Sequence, residues 1–267
     1  MDLGFVGAGR MGRPMVRRLV RAGHRVRVYV RGVQAWEAVV RSGAEPVTSL
    51  TGAARGVDAV LVCVLTDAQV REVCLDDGGL RAALPAGAVI GVHTTGDPRT
   101  VRALADRGAD VVDVPVSGGP HDIEAGRLTV FAGGCREAVE RVRPALEAYA
   151  DPVLHVGPLG AGQSVKLVNN SLFAAQLGLL AHAAELGRRL GVEEAALLAA
   201  LSHGSAAGRA SAAAAARGGV APLAASAGPF LRKDLAVATA LAGELGLELG
   251  PLLPAVRCLE DQLAEGG

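Results

Sequence analysis

Aromatic residues are scarce in this sequence, at 3% of 267 residues, although half of the chain is hydrophobic. The core must therefore be built mainly from alanine, valine and leucine, and the 36 glycines allow helices and strands to approach each other closely. The 27 basic side chains are balanced by 27 acidic ones, and no basic run is interleaved with aromatic residues. We therefore expect no nucleic-acid partner, and a small molecule as the ligand.

The sequence also lacks the motifs of a metal centre, a disulfide framework or a membrane protein. Its four cysteines, Cys63, Cys74, Cys135 and Cys258, have no CxxC or Cys/His spacing, which predicts neither zinc nor disulfides. No basic and apolar leader precedes the first strand-like residues, and polar residues interrupt the longest apolar stretches. These absences predict a cytoplasmic protein without a metal or a membrane segment.

Lysine and asparagine occur only twice each, as Lys166, Lys233, Asn169 and Asn170. Lys166 and Asn170 lie four residues apart near the start of a predicted helix, so their side chains project from one face. A partly buried lysine can release its proton near neutral pH, whereas an arginine cannot. Lys166 is therefore our candidate for a proton-transfer group.

The first thirty residues read as strand, glycine turn, helix and strand. In this βαβ setting, the three glycines of a G-x-G-x-x-G turn permit a tight turn, a close approach of pyrophosphate and helix–strand packing. The helix N-terminus then offers N–H groups to the anion. The residues predicted to bind a dinucleotide in this way are Gly7, Ala8, Gly9, Arg10, Met11 and Gly12.

The end of the second strand indicates which dinucleotide is bound. NAD-selective sites usually place an acidic residue there to accept the ribose hydroxyls. The segment from Val28 to Gly32 has no acid, and Arg31 stands where a 2′-phosphate would lie. We therefore expect NADP as the cofactor, with NAD as the alternative.

Apolar runs at 58–64, 88–92 and 110–114 alternate with helical stretches at 68–73 and 98–107. Such runs predict a Rossmann fold, a doubly wound and mostly parallel sheet covered on both faces. Ligands bind beyond the carboxyl ends of such strands, where Leu65, Thr66 and Thr95 are predicted to contact the cofactor. Further predicted elements are a strand at 128–132, a helix at 137–148 and a strand at 153–156.

The glycine-rich segment 157–162 separates a predicted dinucleotide-binding domain, residues 1–159, from an all-α domain, residues 160–267. A long inter-domain helix, 163–190, is predicted to be on the order of 40 Å long. It is apolar around most of its circumference, which predicts a homodimer, or a tetramer, built on this helix. Segment 205–219 is predicted as either a weak helix or a mobile loop, and 222–228 as a connector. The other predicted helices are 192–201, 230–245 and 251–263.

Four ordered stretches, 4–15, 113–119, 157–170 and 233–235, resemble the β-hydroxyacid dehydrogenase family. That family includes 3-hydroxyisobutyrate dehydrogenase and tartronate semialdehyde (glyoxylate) reductases. The resemblance covers nearly the whole chain. It implies an NAD(P)-dependent oxidation of a small β-hydroxyacid, or the reverse reduction of a semialdehyde or ketoacid, and hence a substrate that carries a carboxylate.

The resemblance also implies individual roles. Lys166 would be the general acid/base, with Asn170 orienting the substrate. Ser117, counted with the catalytic residues, would hold the substrate carboxylate together with Gly118 and Gly119. Glycine backbone permits close approach, so N–H groups there could cradle the carboxylate. The residues implied at the cofactor are Thr95 and, at the nicotinamide end, Lys233, which would also contact the substrate.

The sequence departs from the family after the double glycine, where His121 and Asp122 either shape the substrate pocket or belong to a capped turn. The alternative functions are an imine or carbonyl reductase of a biosynthetic pathway and a non-catalytic NADP-binding module. Lys166 argues against an imine reductase but leaves a carbonyl or imine reductase of a biosynthetic pathway open, whereas Lys166 together with Asn170 argues against the non-catalytic module. Asn169 stands where 6-phosphogluconate dehydrogenase carries histidine, which makes that enzyme the less fitting relative.

Overall fold

The computed structural model describes residues 1–265, with side chains as far as Cys258. The strands are β1 (Asp2–Val6), β2 (Arg25–Tyr29), β3 (Glu45–Val47), β4 (Ala59–Val62), β5 (Val89–Val92), β6 (Asp110–Asp113), β7 (Val116–Ser117), β8 (Leu128–Gly133) and β9 (Ala150–Gly157). The helices are α1 (Gly12–Arg21), α2 (Val33–Arg41), α3 (Leu50–Ala54), α4 (Asp67–Leu75), α5 (Pro98–Ala105), α6 (Pro120–Glu124), α7 (Arg136–Leu146), α8 (Ala161–Arg189), α9 (Glu194–Leu201), α10 (Arg209–Arg217), α11 (Val220–Glu244) and α12 (Leu252–Glu265).

The strands form one sheet in the order β3-β2-β1-β4-β5-β6-β8-β7, with β9 paired to β8. Within the run β3-β2-β1-β4-β5-β6, every adjacent pair of strands is parallel. Strand β8 runs antiparallel to β6 and β7 but parallel to β9. The chain moves one way from β1 and the other way from β4, so a topological switch point lies between them. The predicted doubly wound, mostly parallel sheet is confirmed.

Both faces of this sheet are buried. In β4, Ala59 and Leu61 belong to one hydrophobic cluster, whereas Val60 and Val62 belong to another. Successive side chains of a strand point to opposite faces, so a strand buried on both faces reads as a continuous apolar run. This is the pattern that revealed β4, β5 and β6 in the sequence.

The chain forms two compact units, Met1–Lys166 and Leu167–Gly267. Helix α8 begins in the first unit and continues into the second. The second unit has its own core, which includes Leu177, Leu198 and Leu231. The domain boundary at 159/160 stays a prediction.

The structure decides the open interpretation of segment 205–219, of which residues 209–217 form α10. This helix ends at Gly218, whose φ of 81° lies in the left-handed region that glycine tolerates after a helix. The predicted connector at 222–228 is wrong, because these residues lie inside α11. Helix α11 starts early because the Glu194 carboxylate accepts a hydrogen bond from the Val220 N–H at 2.7 Å. Pro222 falls in the first turn, where its missing N–H costs nothing.

Candidate active site

The glycine turn between β1 and α1 has the shape that a dinucleotide requires. Gly7 has a φ of 98°, and a Cβ at this position would collide with the carbonyl oxygen of Cys63. A Cβ on Gly12 would lie 2.8 Å from the Phe5 ring. A Cβ on Gly9, in contrast, would meet no described atom within 4 Å. The turn is thus packed at its first and third glycines and open at the second, where pyrophosphate is expected.

The N-terminus of α1 fits the same ligand. Its N-cap residue, Met11, makes no side-chain capping bond within the described residues. The first N–H groups of a helix have no intrahelical acceptor, and together with the helix dipole they attract an anion. Arg31 is exposed and follows β2, the parallel neighbour of β1. It therefore lies at the same edge of the sheet as the glycine turn.

The segments after β4 and β5 are tied to each other at this carboxyl edge. The Thr94 hydroxyl donates to the Val64 carbonyl at 2.9 Å and accepts from the Val64 N–H at 3.0 Å. Thr66 caps α4 by accepting a hydrogen bond from the Gln69 N–H. Leu65 is exposed and Thr95 is half-buried. These contacts place the predicted cofactor residues Leu65, Thr66 and Thr95 along one edge.

The Ser117 segment follows the carboxyl end of β6. Ser117 belongs to β7 and pairs with Thr129 of β8. The Gly119 N–H, predicted as a donor to the substrate, donates instead to the Asp122 carboxylate at 2.7 Å. Asp122 is buried and also lies 3.3 Å from the His121 imidazole. Of the two interpretations of His121 and Asp122, the capped turn is the one seen here. The Gly119 N–H is consequently engaged within the loop, unlike the open cradle that was predicted.

The start of α8 is attached to the same edge. Asp113, the last residue of β6 and fully buried, accepts hydrogen bonds from the N–H groups of Gly160 at 2.7 Å and Gln163 at 2.6 Å. Burial raises the pKa of the Asp113 carboxyl above its usual value, while these two N–H groups oppose that rise. Lys166 follows one turn later and is half-buried.

In the second unit, a buried carboxylate joins two predicted site residues. Asp234 accepts a hydrogen bond from the Asn170 amide nitrogen at 2.6 Å. Its other oxygen lies 2.7 Å from the Lys233 ammonium, an ionic contact that compensates the buried charge. A carboxylate only accepts, so the nitrogen of the Asn170 amide must face Asp234. The Asn169 amide donates to the Asn170 oxygen at 3.1 Å and supports this orientation.

Within the first unit, the structure gathers the predicted cofactor residues other than Lys233, together with Ser117 and Lys166, at the edge formed by the carboxyl ends of the parallel strands. Within the second unit, it links Asn170 to Lys233. Three further residues carry this geometry without having received a role from the sequence: Asp113, Gln163 and Asp234. All three lie inside the recognised motifs, at 113–119, 157–170 and 233–235, which is the signal that the sequence offers for them. The described residues contain no cluster of three His, Cys, Asp or Glu side chains suited to a metal. None of the described helices is long and apolar enough to cross a bilayer.

Two family models match the chain. Residues 2–157 match the NAD binding domain of 6-phosphogluconate dehydrogenase. Residues 160–267 match the family described as the NAD-binding of NADP-dependent 3-hydroxyisobutyrate dehydrogenase. The first match alone covers more than half of the chain, and the second begins at residue 160, inside the glycine-rich segment 157–162.

Individual relatives agree with the two family models. The NAD-dependent L-serine dehydrogenase of Pseudomonas aeruginosa is 36% identical over 196 residues, 72% of this chain and 66% of the relative. The 3-hydroxyisobutyrate dehydrogenase of the same organism is 34% identical over 200 residues, 73% of this chain and 67% of the relative. The matched segment thus spans about two thirds of the length of these curated relatives.

Among solved structures, Mycobacterium tuberculosis 3-hydroxyisobutyrate dehydrogenase with L-serine superposes with a TM-score of 0.84 at 27% identity. That match covers 99% of this chain and 94% of the neighbour. The fold, the glycine turn and the two family models lead to one conclusion: this chain belongs to the β-hydroxyacid dehydrogenase family of NAD(P)-binding oxidoreductases.

Proposed function

We propose that this protein transfers a hydride between NADP(H) and a small β-hydroxyacid, or the matching semialdehyde or ketoacid, with Lys166 as the general acid/base. One observation carries the proposal. The start of α8 is hydrogen-bonded to the carboxyl edge of the sheet, the edge that also carries the glycine turn and Arg31. The only lysine of the first unit is thereby held on the side of the sheet where a dinucleotide would lie.

The proposed chemistry divides the work between cofactor and protein. A bound nicotinamide would supply or accept the hydride. In the oxidation direction, the Lys166 amine takes the proton of the substrate hydroxyl, and in the reduction direction it returns that proton to the carbonyl oxygen. Burial lowers the pKa of a lysine in general, which brings such a group closer to working pH.

Positioning of the substrate falls to the residues around Lys166. Asn170 lies one turn further along α8, on the same face as Lys166. Its amide nitrogen carries two N–H donors, of which one goes to Asp234, so the second can be offered to the substrate oxygen. The Ser117 hydroxyl and the Gly118 N–H are proposed to hold the carboxylate. Holding the acid end fixes the hydroxyl carbon for hydride transfer.

A homodimer built on α8 and a cytoplasmic location complete the proposal. Exposed apolar residues of α8, among them Leu172 and Leu179, support the dimer. The four cysteines are all free thiols, as expected in a reducing compartment.

The test is a panel of small hydroxyacids, semialdehydes and cyclic imines, followed by NADPH absorbance. L-Serine and 3-hydroxyisobutyrate are included because relatives are named for them. We expect turnover of at least one acid and none of the imines. Turnover of imines alone would contradict the proposed substrate class.

Substitution of Lys166 tests the proton-transfer role. We expect Lys166→Ala to lower kcat by about 10²- to 10⁴-fold, the usual contribution of a general acid/base, while NADPH affinity changes less than about twofold. Lys166→Arg should be similarly inactive, because a guanidinium keeps its proton. Arg136→Ala, which removes an exposed cation from α7, is the matched control and should change neither value. Wild-type kcat in Lys166→Arg would show that a fixed positive charge suffices and that acid/base chemistry lies elsewhere.

A further inference from the structure

The first turn of α8 is capped by a side chain from the sheet rather than by a neighbour in sequence. Gly160 is the N-cap residue and Gln163 the third residue of the helix. Their N–H groups are the two that a local capping box would satisfy with two side chains. Here the single carboxylate of Asp113, 47 and 50 residues away, accepts both hydrogen bonds.

The Gln163 side chain attaches the start of α8 to the sheet a second time. Its side-chain oxygen accepts from the Gly96 N–H at 3.0 Å, and its side-chain nitrogen donates to the Thr94 carbonyl at 2.8 Å. The side chain is almost fully buried. Both ends of the amide are thus used on the segment that follows β5, the strand next to β6.

Close packing leaves the first turn of α8 little freedom to shift. A Cβ on Gly162 would lie 2.8 Å from the Asp113 carboxylate and would collide with the Phe131 carbonyl oxygen. A Cβ on Gly133 would lie 2.8 Å from the Gly162 N–H nitrogen. The backbone of the helix therefore touches β8 directly, and Asp113 lies within that contact.

We propose that Asp113 and Gln163 are positioning residues that fix Lys166 for proton transfer. Asp113 and Gln163 together make four hydrogen bonds, which we call the clamp. Lys166 follows Gln163 by three residues, about 4.5 Å along the helix axis, so the clamp determines where the Lys166 side chain starts. A displacement of about 1 Å at a reacting group can lower a rate by about 100-fold. The inference rests on the proposed role of Lys166 in catalysis.

Lysine NMR tests the clamp without any turnover. Reductive methylation with ¹³C-formaldehyde labels only Lys166, Lys233 and the N-terminus, because the chain has two lysines. Lys166→Arg assigns the Lys166 signal. We expect Asp113→Asn, which offers one acceptor to two N–H groups, to shift and broaden the Lys166 signal and to leave the Lys233 signal in place. A Lys166 signal that moves in neither Asp113→Asn nor Gln163→Met would overturn the inference.

A double-mutant cycle then tests the consequence for catalysis, with the panel acid of highest turnover as probe. We expect Asp113→Asn to lower kcat about 30-fold when Lys166 is present and less than about threefold in a Lys166→Ala background, because the clamp acts through that lysine. NADPH affinity should stay within about twofold, which also shows that the variant is folded. An equal loss in both backgrounds would assign Asp113 a purely structural role.

Asp58→Asn is the matched control, because Asp58 also accepts a backbone N–H, that of Asp2 at 2.8 Å, but precedes β4 at the opposite edge of the sheet. We expect it to leave kcat unchanged. If Asp113→Asn does not fold, Gln163→Met replaces it, with an expected loss of about tenfold. Wild-type turnover of Lys166→Ala would count against the proposed function. The NMR result shows independently of turnover whether Asp113 and Gln163 position the Lys166 side chain.

Discussion

Arginine supplies 25 of the 27 basic side chains, so the two lysines stand out at the scale of single residues. A guanidinium is permanently charged and binds phosphate or carboxylate through paired N–H groups, whereas an ammonium can exchange its proton. The two lysines also differ from each other. Lys233 contacts the buried Asp234 carboxylate, while Lys166 belongs to a helix start that is pinned to the sheet. A fixed charge suits the first position and proton exchange suits the second.

Arg31 is the residue on which the choice of cofactor depends. An arginine at the end of β2 would make charge-assisted hydrogen bonds to the 2′-phosphate of NADPH, which NADH lacks. We expect wild-type protein to prefer NADPH, and Arg31→Ala to lose at least about tenfold of that preference, mainly through a higher KM for NADPH. Arg21→Ala, at the far end of α1, is the control. An unchanged ratio of kcat/KM for NADPH and NADH in Arg31→Ala would contradict the assignment.

At the scale of elements, α8 carries an exposed apolar stripe in addition to its buried side. The stripe consists of Val168, Leu172, Leu179 and Leu186, and the exposed fraction of Val168 reaches 68%. The spacings of four and seven residues keep these side chains within one narrow sector of the helix. A leucine row of this length on one helix face is typical of a helix that packs against a partner.

Leu179→Glu tests whether that partner is a second copy. We expect wild-type protein to have twice the mass of the chain in light scattering, and Leu179→Glu to have the mass of a single chain, because a buried glutamate would be unpaired in the interface. Leu247→Glu, at an equally exposed leucine outside α8, should remain dimeric. A dimeric Leu179→Glu variant would place the interface elsewhere.

At the scale of the whole molecule, the sequence predicts those strands, turns and helices that a local pattern of residues encodes. The apolar run of β4 and the glycine turn before α1 each carry a strong short-range signal, and both are confirmed by the fold. Strand β3 has only three residues, Glu45–Val47, and gives no such signal. The predicted helix 230–245 covers only the later part of α11, which also contains Pro222 and Pro229, and the first of these lies where a helix tolerates proline.

The sequence predicts the candidate site, like the fold, only where a local pattern marks the residues. Spacing and rarity point to Lys166 and Asn170 from the sequence alone. Asp113, Gln163 and Asp234 could not be assigned, because their hydrogen-bond partners lie 47 to 69 residues away in the chain. The motifs draw attention to these residues, but only the fold shows which groups they bind. The sequence alone does not decide between a capped turn and a substrate pocket at Asp122, because both use the same polar residue types.

The stability of the whole molecule should depend on pH through a histidine buried beside the sheet. His93 is fully enclosed, with Nδ1 2.7 Å from the Val114 carbonyl oxygen and Nε2 2.8 Å from the Tyr149 hydroxyl. A carbonyl only accepts, so Nδ1 carries the proton and Nε2 accepts from the tyrosine. Burial lowers the pKa of His93 to about 4, against a smaller opposing effect of the bond to Val114.

Between about pH 6.5 and pH 4 the unfolded chain therefore binds a proton at His93 that the folded chain does not, so the free energy of unfolding falls as the pH falls. From pH 7 to pH 5 the expected loss is about 2 kcal/mol. Urea unfolding followed by the fluorescence of Trp36, the only tryptophan and in the same unit, measures it. His93→Gln cannot titrate and should show a shallower pH dependence, whereas exposed His203→Gln should follow wild type. Parallel curves for wild type and His93→Gln would mean that His93 is protonated equally in both states, because only a difference in proton binding between folded and unfolded chains gives a slope.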